Sequence, residues 1–411
     1  LDRGTPYASV GILLDGSRRV PHPKLHTTSY RGLGVRHKQV DFMAAELWGT
    51  IFPREKHSRF YNKPTLAAPY GEIFDLLSVN PAGEKVNPAV LSNYHILMDM
   101  GYLNVNRQFA EVLMQQVRDG GNLALNVENL GEHLPPSFFG VSLTGGTAKA
   151  DHLKCDLDGT TFDEETFSYK KMELKGAEVL YSTDGNPLVT RFKVGKGHAI
   201  LVSIPYMTAA EISKSYIGMQ DIHARRLLKF VPDFLDRLTA GSMPVELRCA
   251  PEDRKSLGWW VHRVKDGWLA FVMSYNPEKE YVFKGGAVTN VVDAHEYKAV
   301  PFDLVCNAPI KDGLELYGMR EVRIRDENGR FVASDFARYG DIRVYKLSEK
   351  KIVHTRTRYL NYAQGRPVAA SSWLKRPVLN SPWSAPDSDR FHPGNAVDGN
   401  TDNMIYWQSG R

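Results

Sequence analysis

The sequence predicts a multidomain protein in which an α/β domain is followed by an all-β sandwich and then by a short, incomplete β-module. Three observations support this order. Strand-like and helical patterns alternate up to residue 241, short alternating runs with turn residues continue to residue 352, and the composition changes again near Tyr359. The chain of 411 residues is also longer than one ordinary domain of ~100–200 residues.

The first 241 residues combine strand and helix patterns. Apolar runs predict strands at residues 8–14, 70–80, 93–101 and 122–127, and helical apolar spacing predicts helices at residues 40–52 and 107–119. Gly120 and Gly121 end the second helix. This alternation favours a parallel sheet covered on both faces. Residues 15–65 form a long insertion that contains the first of these helices.

The end of this domain has a different pattern. Turn residues at 184–187 and 195–197 separate alternating strand patterns between residues 176 and 204, which predicts an antiparallel edge of the sheet. The amphipathic segment 220–241 predicts a long closing helix that is kinked at Pro232.

Residues 242–352 predict an all-β sandwich. Short alternating runs are separated by turns such as Asp266-Gly267, and no helical pattern interrupts them. Trp259, Trp260 and Trp268 lie on these strands. They are compatible with a sugar-stacking platform, although core packing is the more frequent use of aromatic residues in strands.

The composition argues against several functions. The net charge is +5 and the charges are interspersed, which indicates a solvated surface or an acidic polysaccharide partner rather than nucleic acid. No apolar run approaches the ~18–20 residues of a membrane span. The chain has three cysteines, Cys155, Cys249 and Cys306, which are far apart in sequence. Because an odd number cannot form a complete set of disulfides, we expect free, packed thiols.

Residues 7–240 resemble the class I glutamine amidotransferase-like version of the flavodoxin-like fold, in the non-catalytic form found in β-galactosidases. The order of four motifs carries the resemblance: ASVGILLD, PYGEIFDLL, NYHILMDMG to NLALNV, and GNPLVTRFKVGKGHAILVSI. An active amidotransferase needs a cysteine nucleophile framed by glycines on a strand-to-helix turn. Asn126, Val127 and Glu128 stand there instead, and Cys155 lacks such a frame. The resemblance therefore implies no catalytic residue and a domain for self-association.

Other candidate residues in this domain form weaker patterns. Glu46 with Trp48 suits a sugar-facing loop or, more simply, the polar face of a helix. Adjacent carboxylates at residues 163–165 cannot face a glycosidic bond from two sides. Four histidines lie in the insertion without a compact metal motif; they are His22, His26, His37 and His57. An enzyme site built from them is an alternative hypothesis.

The last part of the chain, residues 353–411, contains a linker and then resembles the start of a discoidin-type, or coagulation-factor type C, domain. The matching residues are Gly365, Pro367, Val368, Ala370, Ser371, Ser372, Ala396 to Asn400, Trp407 and Ser409. Many members of this family that bind sugars hold a structural Ca²⁺ at the equivalent turn. The resemblance therefore implies that Asp398 is a ligand and that Asn400 contributes. A turn that presents a carboxylate and carbonyls suits Ca²⁺, but a plain Asp-Gly-Asn turn explains the residues equally well.

These features predict the non-catalytic assembly and carbohydrate-binding portion of a multidomain polysaccharide-degrading enzyme. The first residue is not Met and the last module is incomplete, so we expect a longer parent. That parent is a β-galactosidase-like glycoside hydrolase with its barrel upstream; alternatives are a polysaccharide lyase and a non-catalytic secreted adhesion protein. The modules imply an extracellular or periplasmic location, with polysaccharide and further copies of the chain as partners.

Overall fold

The computed structural model describes residues 4–15, 39–51, 70–79, 87–211, 213–215, 222–224, 226–274, 283–284, 287–288, 299–318, 320–338 and 341–352. These residues form several β-sheets with few helices. The α-helices are α1 (Gln39–Ile51), α2 (Pro88–Leu91), α3 (Arg107–Asp119) and α4 (Val231–Thr239). No helix in these ranges is long and apolar enough to cross a membrane.

The strands are numbered in chain order. The first twelve are β1 (Thr5–Tyr7), β2 (Val10–Asp15), β3 (Phe74–Val79), β4 (Ile96–Asp99), β5 (Asn122–Asn126), β6 (Val141–Cys155), β7 (Thr161–Leu174), β8 (Glu178–Thr183), β9 (Asn186–Val194), β10 (Gly197–Val202), β11 (Ser213–Ser215) and β12 (Ile222–Ala224). The others are β13 (Val245–Arg248), β14 (Leu257–Val264), β15 (Gly267–Ser274), β16 (Phe283–Lys284), β17 (Ala287–Val288), β18 (Ala299–Cys306), β19 (Asp312–Glu315), β20 (Arg320–Glu321), β21 (Ile324–Glu327), β22 (Arg330–Arg338) and β23 (Ile342–Ser348).

A nine-stranded sheet has the order β3-β2-β4-β5-β10-β9-β8-β6-β7. The first five strands are parallel, and the other four pair antiparallel. Buried residues of α1 and α4 pack in the core on one face, and Phe109, Leu113 and Val117 of α3 pack on the other. The predicted alternation of strands and helices is therefore confirmed for β2 to β5.

Helix α3 follows its sequence pattern closely. The side chain of Asn106 caps the first turn by accepting a hydrogen bond from the backbone N–H of Phe109, and Gly120 ends the helix with a φ of 125°. Asparagine is favoured at a helix N-cap, and glycine adopts positive φ at a C-terminus without a steric penalty. The two ends fix the position of α3 between β4 and β5.

Two predictions for this sheet were wrong. Strands β8 to β10 are not its edge, because β6 and β7 extend the sheet beyond β8. The long closing helix over residues 220–241 is also absent, since β12 occupies Ile222–Ala224 and α4 begins only at Val231. Pro232 lies in the first turn of α4, where its missing N–H costs little, whereas a position inside the helix would lose a hydrogen bond and clash.

Two antiparallel sheets form the second unit. A six-stranded sheet has the order β1-β14-β15-β23-β19-β20, and a four-stranded sheet has the order β13-β18-β22-β21. Their inner faces meet in one core, where the rings of Phe302 and Tyr345 are 6.2 Å apart. The prediction of repeated strands without an α-helix is confirmed for the described part of this unit. Strand β1, near the start of the chain, belongs to the six-stranded sheet, where it pairs with β14.

The two units are joined by direct contacts. The backbone N–H of Glu72 donates to the carbonyl of Trp259 at 2.9 Å, and the Ser9 and Ser242 hydroxyls are 2.8 Å apart. Arg254 Nη1 lies 3.0 Å from both carboxylate oxygens of Asp236 on α4. One continuous apolar cluster runs through both units, so the joint between them is packed.

Candidate functional site

The carboxyl ends of the parallel strands are the first place to look for a site, because ligands of open α/β sheets bind there. Strands β2, β4 and β5 end in Asp15, Asp99 and Asn126. These side chains are 3%, 4% and 1% exposed, respectively. Three buried polar residues at one end of a sheet need hydrogen-bond partners, and those partners show what this site can do.

Asp99 is the centre of the site. Its Oδ1 accepts the backbone N–H of Asn126 at 2.9 Å, and its Oδ2 accepts the side-chain amide of Asn129 at 3.0 Å. Burial raises the pKa of Asp99 to about 7, although hydrogen bonds from Asn126, Gly101 and Asn129 act in the opposite direction. The carboxyl group ties β4 to the turn that follows β5.

The two asparagines are also fully engaged. Asn126 Nδ2 donates to the carbonyl of Ile204 at 2.7 Å, and its Oδ1 accepts the N–H of Glu128 at 3.1 Å. Asn129 Nδ2 also donates to the carbonyl of Gly101 at 2.8 Å, while its Oδ1 accepts the N–H of Leu103 at 2.8 Å. Both amides therefore hold backbone segments together.

The outer side of this strand end is covered. The ammonium group of Lys170 on β7 lies 2.7 Å from a carboxylate oxygen of Glu128. The backbone N–H of Lys170 donates to Ser203 at 3.0 Å, and that of Ala210 donates to Thr166 at 2.7 Å. Strand β7 and the segment after β10 are thus held together by backbone hydrogen bonds beside the end of β5.

The segment after β10 is held in an unusual conformation. Tyr206 and Met207 have φ values of 56° and 53°, a region that non-glycine residues visit at a cost. Met207 is buried and anchors the bend in the core. The bend directs this segment towards β7.

This strand end contains Asn126, Val127 and Glu128, which the sequence analysis compared with a catalytic turn. The chain passes from β5 into a short 3₁₀ turn at Val127–Asn129, and Asn126 is the N-cap of that turn. Cys155 lies elsewhere, fully buried at the end of β6 opposite Tyr181. Cys155, Cys249 and Cys306 are all free thiols, as predicted.

Other candidates from the sequence are dispersed. Glu46 is on the exposed side of α1, as its helical position predicted. Asp184 occupies a turn with a φ of 46°. Glu164 accepts hydrogen bonds from the backbone N–H groups of Lys229 and Phe230, both at 2.8 Å. They lie in different elements, although Arg226 is near Glu46 and 3.8 Å from Glu165. Asp163 and Asp184 line one surface pocket.

The three tryptophans have different surroundings. Trp259 is buried, and half-buried Trp268 meets Tyr7 edge-on with ring centres 5.3 Å apart. Trp260 is stacked on Phe271 at 5.1 Å, with the two rings nearly parallel. Core packing therefore accounts for Trp259 and Trp268. Trp260 is stacked on Phe271 instead, so the three tryptophan rings do not form a common platform.

Several predicted residues lie outside the described ranges. They include the four insertion histidines His22, His26, His37 and His57 and the calcium candidates Asp398 and Asn400. Among the residues with described positions, no group of three or more His, Cys, Asp or Glu could hold a metal ion.

Sequence reasoning missed Asp99, Asn129 and Lys170. One pattern could have revealed Asp99, because it ends an apolar run, ILMD, whose four residues are all buried. A carboxylate in such a run needs nearby donors. Lys170 could not be found in this way, since its ion pair with Glu128 joins residues from distant parts of the chain.

No family model matches this chain, and no curated protein matches it. Solved structures with a similar fold include a β-galactosidase from Bacillus circulans sp. alkalophilus, at 14% identity and a TM-score of 0.44, covering 84% of this chain and 42% of that one. Gan42B, a GH42 β-galactosidase from G. stearothermophilus, is represented by a mutant at 14% identity and a TM-score of 0.42, with coverage of 84% and 41%. An α-L-fucosidase from Paenibacillus thiaminolyticus is 12% identical with a TM-score of 0.46, and the match covers 85% of this chain and 50% of that one. This chain thus spans half or less of the length of these glycoside hydrolases.

Proposed function

We propose that this chain is the non-catalytic assembly and carbohydrate-binding portion of a multidomain polysaccharide-degrading enzyme of the β-galactosidase-like type. The closed strand end of the nine-stranded sheet carries the proposal. Asn126 occupies the turn where a related catalytic fold has a nucleophile, and both polar atoms of its side chain hold backbone groups. The side chain of Asn126 therefore has a structural role, because it links the turn to neighbouring backbone segments.

The chemistry of the surrounding residues supports a non-catalytic role. Nucleophilic catalysis needs an activated thiol, hydroxyl or amine within reach of a base. Burial raises the pKa of the Cys155 thiol, which disfavours the reactive thiolate. Lys170, the amine beside the strand end, is paired with Glu128. The ion pair between Lys170 and Glu128 stabilises the turn.

The strand order supports an amidotransferase-like, flavodoxin-like assignment of the first unit. Parallel strands β2, β4 and β5 are followed in the sheet by β10, which returns antiparallel to β9. The four sequence motifs supply these strands and β3, which pairs with β2 at the edge of the sheet. We extend the proposal to an assembly role for this unit, in which copies of the chain associate with one another.

The carbohydrate-binding part of the proposal rests on the sequence of residues 353–411. The discoidin-type motif there implies a sugar-binding module with a structural Ca²⁺ that Asp398 and Asn400 would help to hold. An extracellular or periplasmic location follows from the same modules, because a polysaccharide substrate is met outside the cytoplasm.

Affinity electrophoresis of the whole chain in gels that contain neutral or acidic polysaccharides tests this function. We expect retardation by at least one polysaccharide in the presence of calcium, and loss of retardation with chelator or in Asp398→Ala. Asp387→Ala, a carboxylate outside the motif, should behave like the unchanged chain. Migration that no polysaccharide alters would refute the carbohydrate-binding role, and retardation that ignores both chelator and Asp398→Ala would refute the calcium assignment.

A further inference from the structure

A cavity of about 190 Å³ lies at the joint between the two units. It is bordered by Tyr70 before β3, by Asp236 at the end of α4, by Glu246 on β13 and by Trp259 on β14. Ligand sites occur preferentially where two structural units meet. The cavity is separate from the closed strand end, and none of the residues described there lines it.

The polar groups of the cavity retain capacity for hydrogen bonds. Each carboxylate oxygen of Asp236 accepts one bond from Arg254, and a carboxylate oxygen has two lone pairs. Glu246 accepts hydrogen bonds from the backbone of Met243, at 3.3 Å, from the backbone of Gly241 and from the side chain of Asn307. Its two oxygens have four lone pairs, so one acceptor position remains. Burial raises the pKa of Glu246, although these hydrogen bonds act in the opposite direction. Both acids can therefore accept hydroxyl donors from a ligand.

The charges of the cavity select the class of ligand. Among the described residues that line the cavity, Asp236 and Glu246 are acidic, and Arg254, which is paired with Asp236, is basic. Arg330 is close enough to Glu246 to lower its pKa but does not line the cavity. The two carboxylates of the lining would repel an anionic ligand, and Arg254 is already paired, so anion binding is disfavoured. A neutral ligand with several hydroxyl groups suits these acceptors better.

The size of the cavity and its apolar lining further restrict the class of ligand. Met243, Leu257 and Trp259 supply apolar surface opposite the carboxyl groups. A cavity of about 150 Å³ holds one benzene ring, whereas drug-sized ligands occupy about 300–1,000 Å³. The cavity therefore fits one six-membered ring with small substituents. A neutral pyranose has this size, with hydroxyl groups at its rim and an apolar C–H face.

We propose that this joint cavity is a binding site for a single neutral pyranose ring, with Asp236 and Glu246 as hydroxyl acceptors and Arg254 as a donor. The inference rests on the proposed carbohydrate function and adds a second sugar-binding position, far in sequence from the terminal module. Its occupation would tie α4 to β13 and β14 and so stiffen the joint between the two units.

Cys249 provides a built-in reporter for this site. It lines the cavity and is half-buried, while Cys155 and Cys306 are buried elsewhere. Burial raises the pKa of the Cys249 thiol to about 11, so alkylation is slow and easily timed at mildly alkaline pH. The rate of alkylation at each cysteine is measured by mass spectrometry of the whole chain after digestion, with and without sugar.

We expect a neutral hexose from a panel of galactose, glucose, mannose and fucose to slow the alkylation of Cys249 several-fold and saturably at millimolar concentration. The ratio of Cys249 alkylation to that of Cys155 and Cys306 separates local protection from general stabilisation. Galacturonic acid should protect less than galactose because of its charge. The proposal fails if no neutral hexose changes this ratio, or if the acid protects as well as the neutral sugar.

Two variants locate the effect. Glu246→Gln keeps the shape and removes a charged acceptor, so it should weaken protection about tenfold. Ala240→Leu fills the cavity and should abolish the dependence on sugar, while Ala89→Leu on α2 should leave it unchanged. Equal protection in Glu246→Gln and the unchanged chain would overturn the site.

The two proposals fail separately. Polysaccharide retardation without protection of Cys249 would remove the cavity site and leave the proposed function standing. If neither retardation nor protection is observed with any sugar, both proposals are overturned.

Discussion

Asp99 shows at the residue scale how a strand end can be closed. Its carboxyl group has no side-chain cation among its described hydrogen-bond partners and relies on N–H donors from two neighbouring segments. Neutral donors hold a buried carboxyl group in place, but they offset its desolvation only in part. The raised pKa is the consequence, and it makes the stability of this unit depend on pH.

We expect the stability advantage of the unchanged chain over Asp99→Asn to fall as the pH rises. Because the pKa of Asp99 is raised to about 7 in the folded chain, the native state holds this proton to a higher pH than the unfolded state. The contribution is fully present below about pH 4 and is lost through about pH 7, by up to about 4 kcal/mol. Urea unfolding of both proteins at several pH values measures the difference. A difference that is constant or grows with pH would contradict the buried, protonated Asp99.

Gly71 gives a second test at this scale. Its φ is +79°, and a Cβ atom there would lie 2.2 Å from Cε2 of Trp259. Gly71→Ala should therefore destabilise the joint by about 2–4 kcal/mol, through backbone strain and overpacking together. Gly329→Ala is the matched control, because Gly329 has a φ of +81° with no atom within 4 Å of the added Cβ. Gly329→Ala should lower the free energy of unfolding by only about 1 kcal/mol. Equal losses in thermal unfolding would show that the Trp259 contact has no effect.

Helix α4 illustrates how contacts distant in sequence determine an element. Its N-cap residue, Phe230, makes no side-chain cap, and the carboxylate of Glu164 on β7 accepts the N–H groups of Lys229 and Phe230 instead. The sequence pattern of residues 220–241 indicated an amphipathic helix but not its start. That start depends on Pro232 and on a carboxylate more than sixty residues away.

Glu164→Ala should destabilise the first unit by about 1–3 kcal/mol, since two N–H groups at the start of α4 lose their charged acceptor. Glu165→Ala is the neighbouring control. The closest approach of Glu165 to Arg226 is 3.8 Å in an exposed pair, so a change within about 0.5 kcal/mol is expected. Chemical unfolding followed by circular dichroism measures both. Similar losses in the two variants would refute the capping role of Glu164.

The parts of the fold that were predicted from sequence are those with local patterns. Helix α3 carries its own caps, Asn106 and Gly120, and β4 and β5 are short apolar runs. Strands β6 and β7 were missed because exposed and half-buried residues predominate along both. Their pairing with each other and with β8 defines them more than any apolar run does. The same holds for the site residues. Asn126 lies in a local sequence motif and was located from it, whereas Lys170 is placed by a contact between distant parts of the chain and was not.

At the scale of the whole molecule, two units pack against each other, and structural hydrogen bonds occupy the carboxyl ends of β4 and β5. We propose that this unit mediates self-association of the chain. Sedimentation velocity of the chain at micromolar concentration should therefore show a species larger than a monomer. A strict monomer over the whole accessible concentration range would count against the assembly role.

The most direct test of the central claim is to incubate the purified chain with a panel of polysaccharides and to measure binding and product formation in the same samples. Reducing ends report hydrolysis, and absorbance by unsaturated uronates reports elimination. The account predicts that at least one polysaccharide is bound and that neither product forms. Product formation by this chain that is lost in Asn126→Ala or Asp99→Asn would contradict it, because the strand end would then be a catalytic site.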